Sequence, residues 1–213
     1  NFKSKLVIVK DNNINNLLKN ITNSYLLNFN NLENLSYILS IIKKFKIKKK
    51  IILKTINEFK GLAHRQEKIY SGKKILCIND SKATTFDAAA QALNNYKNIY
   101  WFLGGVNKKN DKIKFKKFKK NIIKAYIIGK NKKFFVKQLK NKISYSFCLN
   151  LSDAFAKVIK DIKIFNKQND NNKISTLLLS PAAASFDSYK NFEERGNKFK
   201  KLFVKNKSKL IYA

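Results

Sequence analysis

The sequence predicts an α/β fold, a mostly parallel sheet with helices on both faces, and three observations point to it. From Gln66 onward, short apolar runs alternate with amphipathic stretches. Alternation of that kind builds parallel sheets covered on both sides. Two of the runs stop at glycine, Ile99–Leu103 at Gly104-Gly105 and Ala125–Ile128 at Gly129. Upstream the periodicity is helical instead, and Gly61 gives a helix stop, which puts a domain boundary near Gly61-Leu62-Ala63.

The elements follow in order. Leu6-Val7-Ile8-Val9 predicts a strand, and Asp11-Asn12-Asn13 carries turn chemistry. Leu32, Leu35, Ile38, Leu39, Ile42 and Phe45 recur at helical spacing, predicting a helix over Asn31 to Phe45. A second helix is expected over Lys48 to Phe59, with Ile51, Ile52, Thr55, Ile56 and Phe59 on one face. Gln66–Tyr70 and Lys74–Ile78 read as a hairpin joined at Ser71-Gly72. A helix over Thr84–Asn94, a strand over Ile99–Leu103, a lysine-rich helix, and a strand over Ala125–Ile128 follow. Next come another helix, a strand at Ser144–Leu149, and a helix over Ser152–Phe165 with Ser152-Asp153 as its N-cap. A polar loop at Asn166–Lys173, a strand at Ser175–Leu179 and a helix over Tyr189–Phe203 close the chain.

Composition narrows the function classes. The 213 residues suffice for one large domain or one domain plus part of another, and 44% are hydrophobic, enough to bury a core. Lysine or asparagine interrupts every apolar run before it reaches spanning length, and no signal-peptide pattern opens the chain. The chain starts at Asn1 and has no methionine, so its first residues are expected to continue something upstream. The formal charge of +33 invites a basic nucleic-acid-binding module. Against that, only Arg65 and Arg195 among the 46 basic residues are arginine, whose planar fork phosphate readers favour. The lysines are scattered beside an excess of asparagine, isoleucine and phenylalanine, which biased nucleotide composition explains together. No specific nucleic-acid partner and no membrane partner are expected. Cys77 and Cys148 sit in apolar runs without metal-ligand or disulfide spacing, so buried free thiols in a reducing cytoplasm are expected.

Ligands of such sheets bind beyond the carboxyl ends of the strands. Three segments there carry unusual clusters: Asn79-Asp80-Ser81-Lys82-Ala83-Thr84, Gly104-Gly105-Val106-Asn107-Lys108, and Ser180-Pro181-Ala182-Ala183-Ala184-Ser185, which holds the one proline. Small residues and proline fix a backbone that a ligand approaches closely. Taken singly, each is an ordinary turn whose Asp, Ser or Thr caps the next helix. Taken together, their lysines and hydroxyls suit one anionic ligand. His64, the one histidine, has no Cys or His neighbour in sequence to share a metal, and no metal site is expected. Phe192 at helical spacing fits a core position as well as a pocket.

The runs GLAHR, INDSKAT, WFLGG, LLLSPAAASFD and NFEERG, in this order and at these separations, resemble the D-glutamate-adding branch of the Mur ligase family. Asn30-Asn31-Leu32-Glu33-Asn34 resembles that family's H-N-x-x-N at a helix start, with asparagine for histidine, and Val106 stands where an acidic residue is common. The resemblance covers nearly the whole chain and is weakest over residues 1 to 24. It implies that residues 1–62 are the tail of a partial central, ATP-binding domain and residues 63–213 a Rossmann-like C-terminal domain. It implies a monomeric cytoplasmic enzyme of peptidoglycan precursor synthesis that uses ATP and Mg2+ to activate UDP-N-acetylmuramoyl-L-alanine as an acyl phosphate. The amine of D-glutamate then attacks, leaving an amide. Another amide ligase of the same superfamily, of the Mur or folylpolyglutamate type, is the alternative within enzymes.

The resemblance also implies residue roles. Lys82, Thr84 and Lys108 match D-glutamate ligands or their neighbours, and Ser185, Phe186 (through its backbone) and Phe192 match the other side of that pocket. Asp80 matches a ribose ligand, Arg65 a nucleotide contact, and Asn31 and Asn34 the adenine side. A G-x-x-x-x-G-K-[ST] loop is absent from the sequence, so the phosphoryl-transfer residues are expected upstream and no catalytic residue is assigned in this chain.

Overall fold

A computed structural model describes residues 19–23, 25–27, 29–115, 117–168 and 173–213. The strand expected at Leu6–Val9 and the turn at Asp11–Asn13 lie outside the described residues, as do positions 169–172 of the polar loop. The chain divides into two compact units, Asn1–Gly61 and Leu62–Ala213.

In the first unit, α1 (Phe29–Ile42) runs into a 3-10 turn, Lys43–Phe45, which Lys46 ends in the left-handed region at φ 51°. Helix α2 spans Lys49–Glu58. Ile21, Leu35, Leu39 and Ile56 form the core. Ile51 and Phe59, expected on the buried face of α2, are 54% and 39% exposed; the small core covers a narrower stripe than the sequence offers. Asn23 donates from Nδ2 to the carbonyls of Ile56 and Phe59 at 2.8 and 2.7 Å, satisfying acceptors that a helix end leaves open.

The second unit is built on a six-stranded sheet: β1 (Glu67–Ser71), β2 (Ile75–Asn79), β3 (Ile99–Gly104), β4 (Ile122–Ile128), β5 (Tyr145–Cys148) and β6 (Ser175–Leu179), in the spatial order β1-β2-β6-β3-β4-β5. The Ser71-Gly72 turn makes β1 antiparallel to β2, and every other pairing is parallel. The helices are α3 (Phe86–Asn95), α4 (Lys132–Leu139), α5 (Leu151–Gln168) and α6 (Phe192–Ile211). Strand alternation sorts them into layers. Ile99, Trp101 and Leu103 of β3 pack with Ala89 and Leu93 of α3 and Phe135 of α4. Tyr100 and Phe102 pack on the opposite face with Phe155 of α5 and Phe199 of α6. The expected α/β sheet with helices on both faces is present.

Four local expectations need correction. The lysine-rich stretch after β3 forms only a 3-10 turn, Lys117–Asn121. Lysines three apart, such as Lys109 with Lys112 and Lys114 with Lys117, repel on a helix face. Asp111, the acid that would offset them, instead accepts the Phe86 N–H at the start of α3 at 2.8 Å. The N-cap of α5 is Asn150 rather than Ser152-Asp153: its Oδ1 accepts the Asp153 N–H at 3.0 Å. That helix continues to Gln168, through residues expected in the loop. Helix α6 starts at Phe192, where Asn191 accepts the Glu194 N–H at 2.8 Å, and runs to Ile211. Cys77 and Cys148 are buried free thiols.

Candidate functional site

Strand β6 lies between β2 and β3, and this order creates the crevice. Chain leaving β2 and β3 packs on the α3/α4 face, whereas chain leaving β6 enters α6 on the other. The carboxyl ends of β2, β6 and β3 therefore diverge at a switch point, where ligands of open α/β sheets bind. The three loops singled out in the sequence all issue there.

The loop after β2 is pinned from below. Asn79 accepts the Ser81 N–H on Oδ1 at 3.2 Å, and its Nδ2 donates to Glu67 Oε2 at 2.9 Å and meets His64 Nδ1 at 2.8 Å. A backbone donor and a carboxylate fix the amide orientation, so Nδ1 of His64 must accept and the neutral ring carries its proton on Nε2. Burial, with Lys200 adding to it, lowers the His64 pKa. His64 stands at φ 61°, is 6% exposed, and its N–H reaches Glu67 Oε2 at 3.0 Å. It is a satisfied turn residue, as its isolation in the sequence suggested. Gly196 of α6 packs on it so closely that a Cβ there would lie 2.2 Å from Nδ1.

Asp80 is 7% exposed. Its Oδ1 accepts the Gln66 N–H at 3.1 Å and its Oδ2 the Ser180 hydroxyl at 2.8 Å. Burial pushes its pKa up to about 7, against the opposing pull of those bonds and of Arg65. The carboxylate thus ties β2, β6 and the segment entering β1 together.

Ser81 is fully buried. It donates from Oγ to the Phe192 carbonyl at 2.8 Å and accepts Arg195 Nε at 3.0 Å. Arg195 completes the joint: Nη2 donates to the Ser81 carbonyl at 2.8 Å and Nη1 to the Ala183 carbonyl at 3.0 Å. One guanidinium therefore holds the loops after β2 and β6 in a fixed relation. Burial lowers its pKa to about 10, partly offset by Asp187 and Tyr189, so it stays charged at neutral pH. Sequence reasoning missed this residue, because an arginine within a lysine-rich amphipathic helix reads as surface.

Lys82 donates its N–H to the His64 carbonyl at 3.0 Å, and its Nζ lies 3.7 Å from the centroid of the Phe192 ring. Phe192 also meets the His64 ring in a T-shaped contact at 5.9 Å. Thr84 is half-buried just ahead of α3, whose N-cap is its neighbour Thr85. Val106 and Ala184 exchange two backbone hydrogen bonds at 2.9 Å, and Gly104 N–H reaches the Pro181 carbonyl at 2.9 Å. A Cβ on Gly105 would lie 2.1 Å from the Ala184 oxygen, so only glycine admits this crossing at φ 131°. Ser185 is 3% exposed, Phe186 is 74% exposed, and Lys108 is exposed.

The structure therefore brings Lys82 and Phe192 into contact and stitches the segment leading to Lys108 to the segment leading to Ser185. Arg65 is exposed at the surface of the same unit. Asn31 and Asn34 belong to the first unit, where Asn31 donates from Nδ2 to the Tyr25 carbonyl at 2.7 Å and Asn34 is exposed. Among the described residues, no group of three or more His, Cys, Asp or Glu could hold a metal ion, and no helix is long and apolar enough to cross a membrane.

Fold and crevice together define an α/β domain whose three strand-end loops meet at a switch point, with Lys82 half-buried against Phe192 and Lys108 exposed. Comparison with known proteins finds relatives that share one name. The chain is 38% identical over 175 residues to the UDP-N-acetylmuramoylalanine–D-glutamate ligase of Wolbachia sp. subsp. Brugia malayi, covering 82% of this chain and 34% of that protein. It is 38% identical over 186 residues to the ligase of the same name from Rickettsia felis, covering 84% and 40%. For the one from Rickettsia bellii the values are 34% over 197 residues, 92% and 43%. All three relatives carry the name UDP-N-acetylmuramoylalanine–D-glutamate ligase, and the chain, similar to them over most of its own residues, spans well under half of their length. No protein-family model matches it. A murein peptide ligase from Psychrobacter arcticus aligns structurally over 85% of this chain and 37% of its own, with a TM-score of 0.47 and 11% identity.

Proposed function

We propose that this chain supplies the D-glutamate pocket and one wall of the nucleotide cleft of an ATP-dependent ligase that joins D-glutamate to UDP-N-acetylmuramoyl-L-alanine. In this reading residues 1–62 are the tail of the ATP-binding central domain, and residues 63–213 are the D-glutamate-binding domain. The observation that carries it is the joining of three strand-end loops at one crevice. Arg195 locks the loop of Lys82 to that of Ser185, and the Val106–Ala184 pairing links the latter to the loop of Lys108.

Lys82, Thr84, Lys108, Ser185, the backbone of Phe186, and Phe192 are assigned to D-glutamate. An ammonium about 4 Å from a carboxylate contributes roughly 4 kcal/mol at an effective dielectric near 20, before desolvation. Two lysines and the hydroxyls can hold both carboxylates and leave the amine free to attack. Within the second unit Asp80 is assigned to the ribose of ATP and Arg65 to a nucleotide contact; within the first, Asn31 and Asn34 are assigned to the adenine side, whose edge an amide suits. ATP, when bound, supplies the energy that activates the accepting carboxylate. Mg2+ and the phosphoryl-transfer residues are assigned, as the resemblance implies, to the part of the ATP-binding domain upstream of this chain.

The test is a titration of the chain with D-glutamate, L-glutamate and ATP, followed by chemical shifts. D-glutamate is expected to perturb Lys82, Ser185 and Phe192, and Lys82→Ala to weaken D-glutamate more than ATP. An equal response to both enantiomers, or equal weakening of both ligands by Lys82→Ala, would sink the assignment.

A further inference from the structure

Lys82 and Phe192 stand 110 positions apart in sequence, yet the ammonium of one sits over the ring of the other at 3.7 Å from its centroid. The Phe192 carbonyl accepts the buried Ser81 hydroxyl, and its ring is braced by His64, itself locked by Asn79. Lys82 is held at its backbone, where its N–H meets the His64 carbonyl, and its ammonium rests on the Phe192 ring. A lysine ammonium on a flexible four-carbon stem has no preferred direction of its own. The face of an aromatic ring supplies one, through the attraction between a cation and the ring quadrupole. An ammonium has three donors, and those turned away from the ring remain available to an incoming carboxylate.

We propose that Phe192 is a positioning residue: its ring face presents the Lys82 ammonium to a carboxylate of D-glutamate, rather than serving only as an apolar wall of the pocket. The proposal rests on the ligand reading above and adds to it a coupling between two residues. An apolar wall requires only bulk at position 192. A presenting face requires an aromatic ring, and its contribution vanishes when residue 82 carries no charge.

The experiment has two arms on the 213-residue chain. In the first, lysine-selective labelling follows the Lys82 side-chain methylenes, assigned by their loss in Lys82→Ala. Ring-current shielding is expected to move them upfield, to persist in Phe192→Tyr and Phe192→Trp, and to vanish in Phe192→Leu. Unshifted methylenes in the unsubstituted chain overturn the proposal. In the second arm, D-glutamate affinity is measured for Phe192→Leu, Phe192→Tyr, Lys82→Met and the double variant Phe192→Leu/Lys82→Met. Phe192→Leu is expected to weaken binding on the order of 3- to 10-fold, with Tyr restoring it and with no further loss once Lys82 is Met. Losses that add in full, or leucine performing as well as tyrosine, return Phe192 to a wall and overturn the proposal. Should Phe192→Leu fail to fold, Phe192→Tyr against Phe192→Met supplies the same contrast. If D-glutamate does not bind at all, the functional part of the proposal fails with the ligand reading, and a retained upfield shift then shows that the ligand, not the pair, was misread.

Discussion

At the scale of single residues, two buried charges carry the strongest expectations. Asp80 has a folded-state pKa of about 7 against an ordinary value of 3.8. A carboxyl whose pKa is raised by folding binds its proton more tightly in the native state, so stability falls as pH rises from about 4 to about 7 and is level beyond. The full penalty is on the order of 4 kcal/mol. Asp80→Asn keeps an acceptor for the Gln66 N–H and a partner for Ser180 but cannot ionise. We expect urea unfolding to show the variant gaining on the unsubstituted chain between pH 4.5 and 8, and a constant difference across that range would count against the buried, raised carboxyl. Arg195→Met strips donors from two carbonyls and a hydroxyl and is expected to cost about 3–5 kcal/mol. Arg195→Lys should recover only part of it, since an ammonium cannot span three acceptors in fork geometry. Equal stability of the three forms would refute the joint. Neither expectation was open to sequence reading alone. Asp80 was legible as a strand-end acid but not as a buried one, and Arg195 could not be told from the surrounding lysines without the loops it bridges.

At the scale of elements, Gly196 offers a test with an unusual sign. Replacing a mid-helix glycine with alanine ordinarily stabilises by about 1 kcal/mol. Here the added Cβ would lie 2.2 Å from His64 Nδ1 and 3.0 Å from Asn79 Nδ2, and the ring cannot swing away without breaking its hydrogen bond to Asn79. Gly196→Ala should therefore lower the midpoint of thermal unfolding, and His64→Ala in the same chain should restore the ordinary gain. A stabilising single substitution would show that the helix and the turn are not in the contact described. The hairpin at Ser71-Gly72 and the strand Ser175–Leu179 were readable because turn residues and uninterrupted apolar runs are local signals. The stretch after β3 was misread because lysine has good intrinsic helix propensity, which was weighed above the repulsion of like charges three apart, and because the diversion of Asp111 to α3 acts across space. The Asn150 cap was missed for a similar reason: Ser152 and Asp153 have cap chemistry, and only the hydrogen bond decides which residue uses it.

For the whole molecule, the charge of +33 is the property most open to misreading. Lys48, Lys49, Lys50, Lys119, Lys120 and Lys201 are all exposed, on separate elements of the two units. Phe102, Phe155 and Phe199, which a single-strand binder would offer to bases, are 0%, 1% and 0% exposed. We expect fluorescence anisotropy with short DNA and RNA to find only salt-sensitive binding, with Kd on the order of 10⁻⁴ to 10⁻⁶ M and no discrimination between sequences. Submicromolar, sequence-dependent binding would revive the nucleic-acid module. Fold class and strand-end loops were legible at this scale because alternation is a global pattern. The spatial order of the strands was not, because nothing in a strand's own residues states which neighbours it will have.

That order bears on how the protein is made. Strand β6 is the last strand in the chain yet sits at the middle of the sheet, and the Ser180–Asp80 bond beside it closes a separation of 100 residues. While the chain is still on the ribosome and Ser175–Leu179 has not emerged, β2 and β3 have no common partner. Each then presents an unpaired apolar edge of the kind that pairs with other chains. The sheet can close only after Ser175–Leu179 has emerged, and the entropy of closing so long a loop slows that step. A nascent chain arrested before Ser175 should therefore be bound by chaperones or aggregate, whereas one tethered through an added linker, so that Ile211 has cleared the exit tunnel, should not.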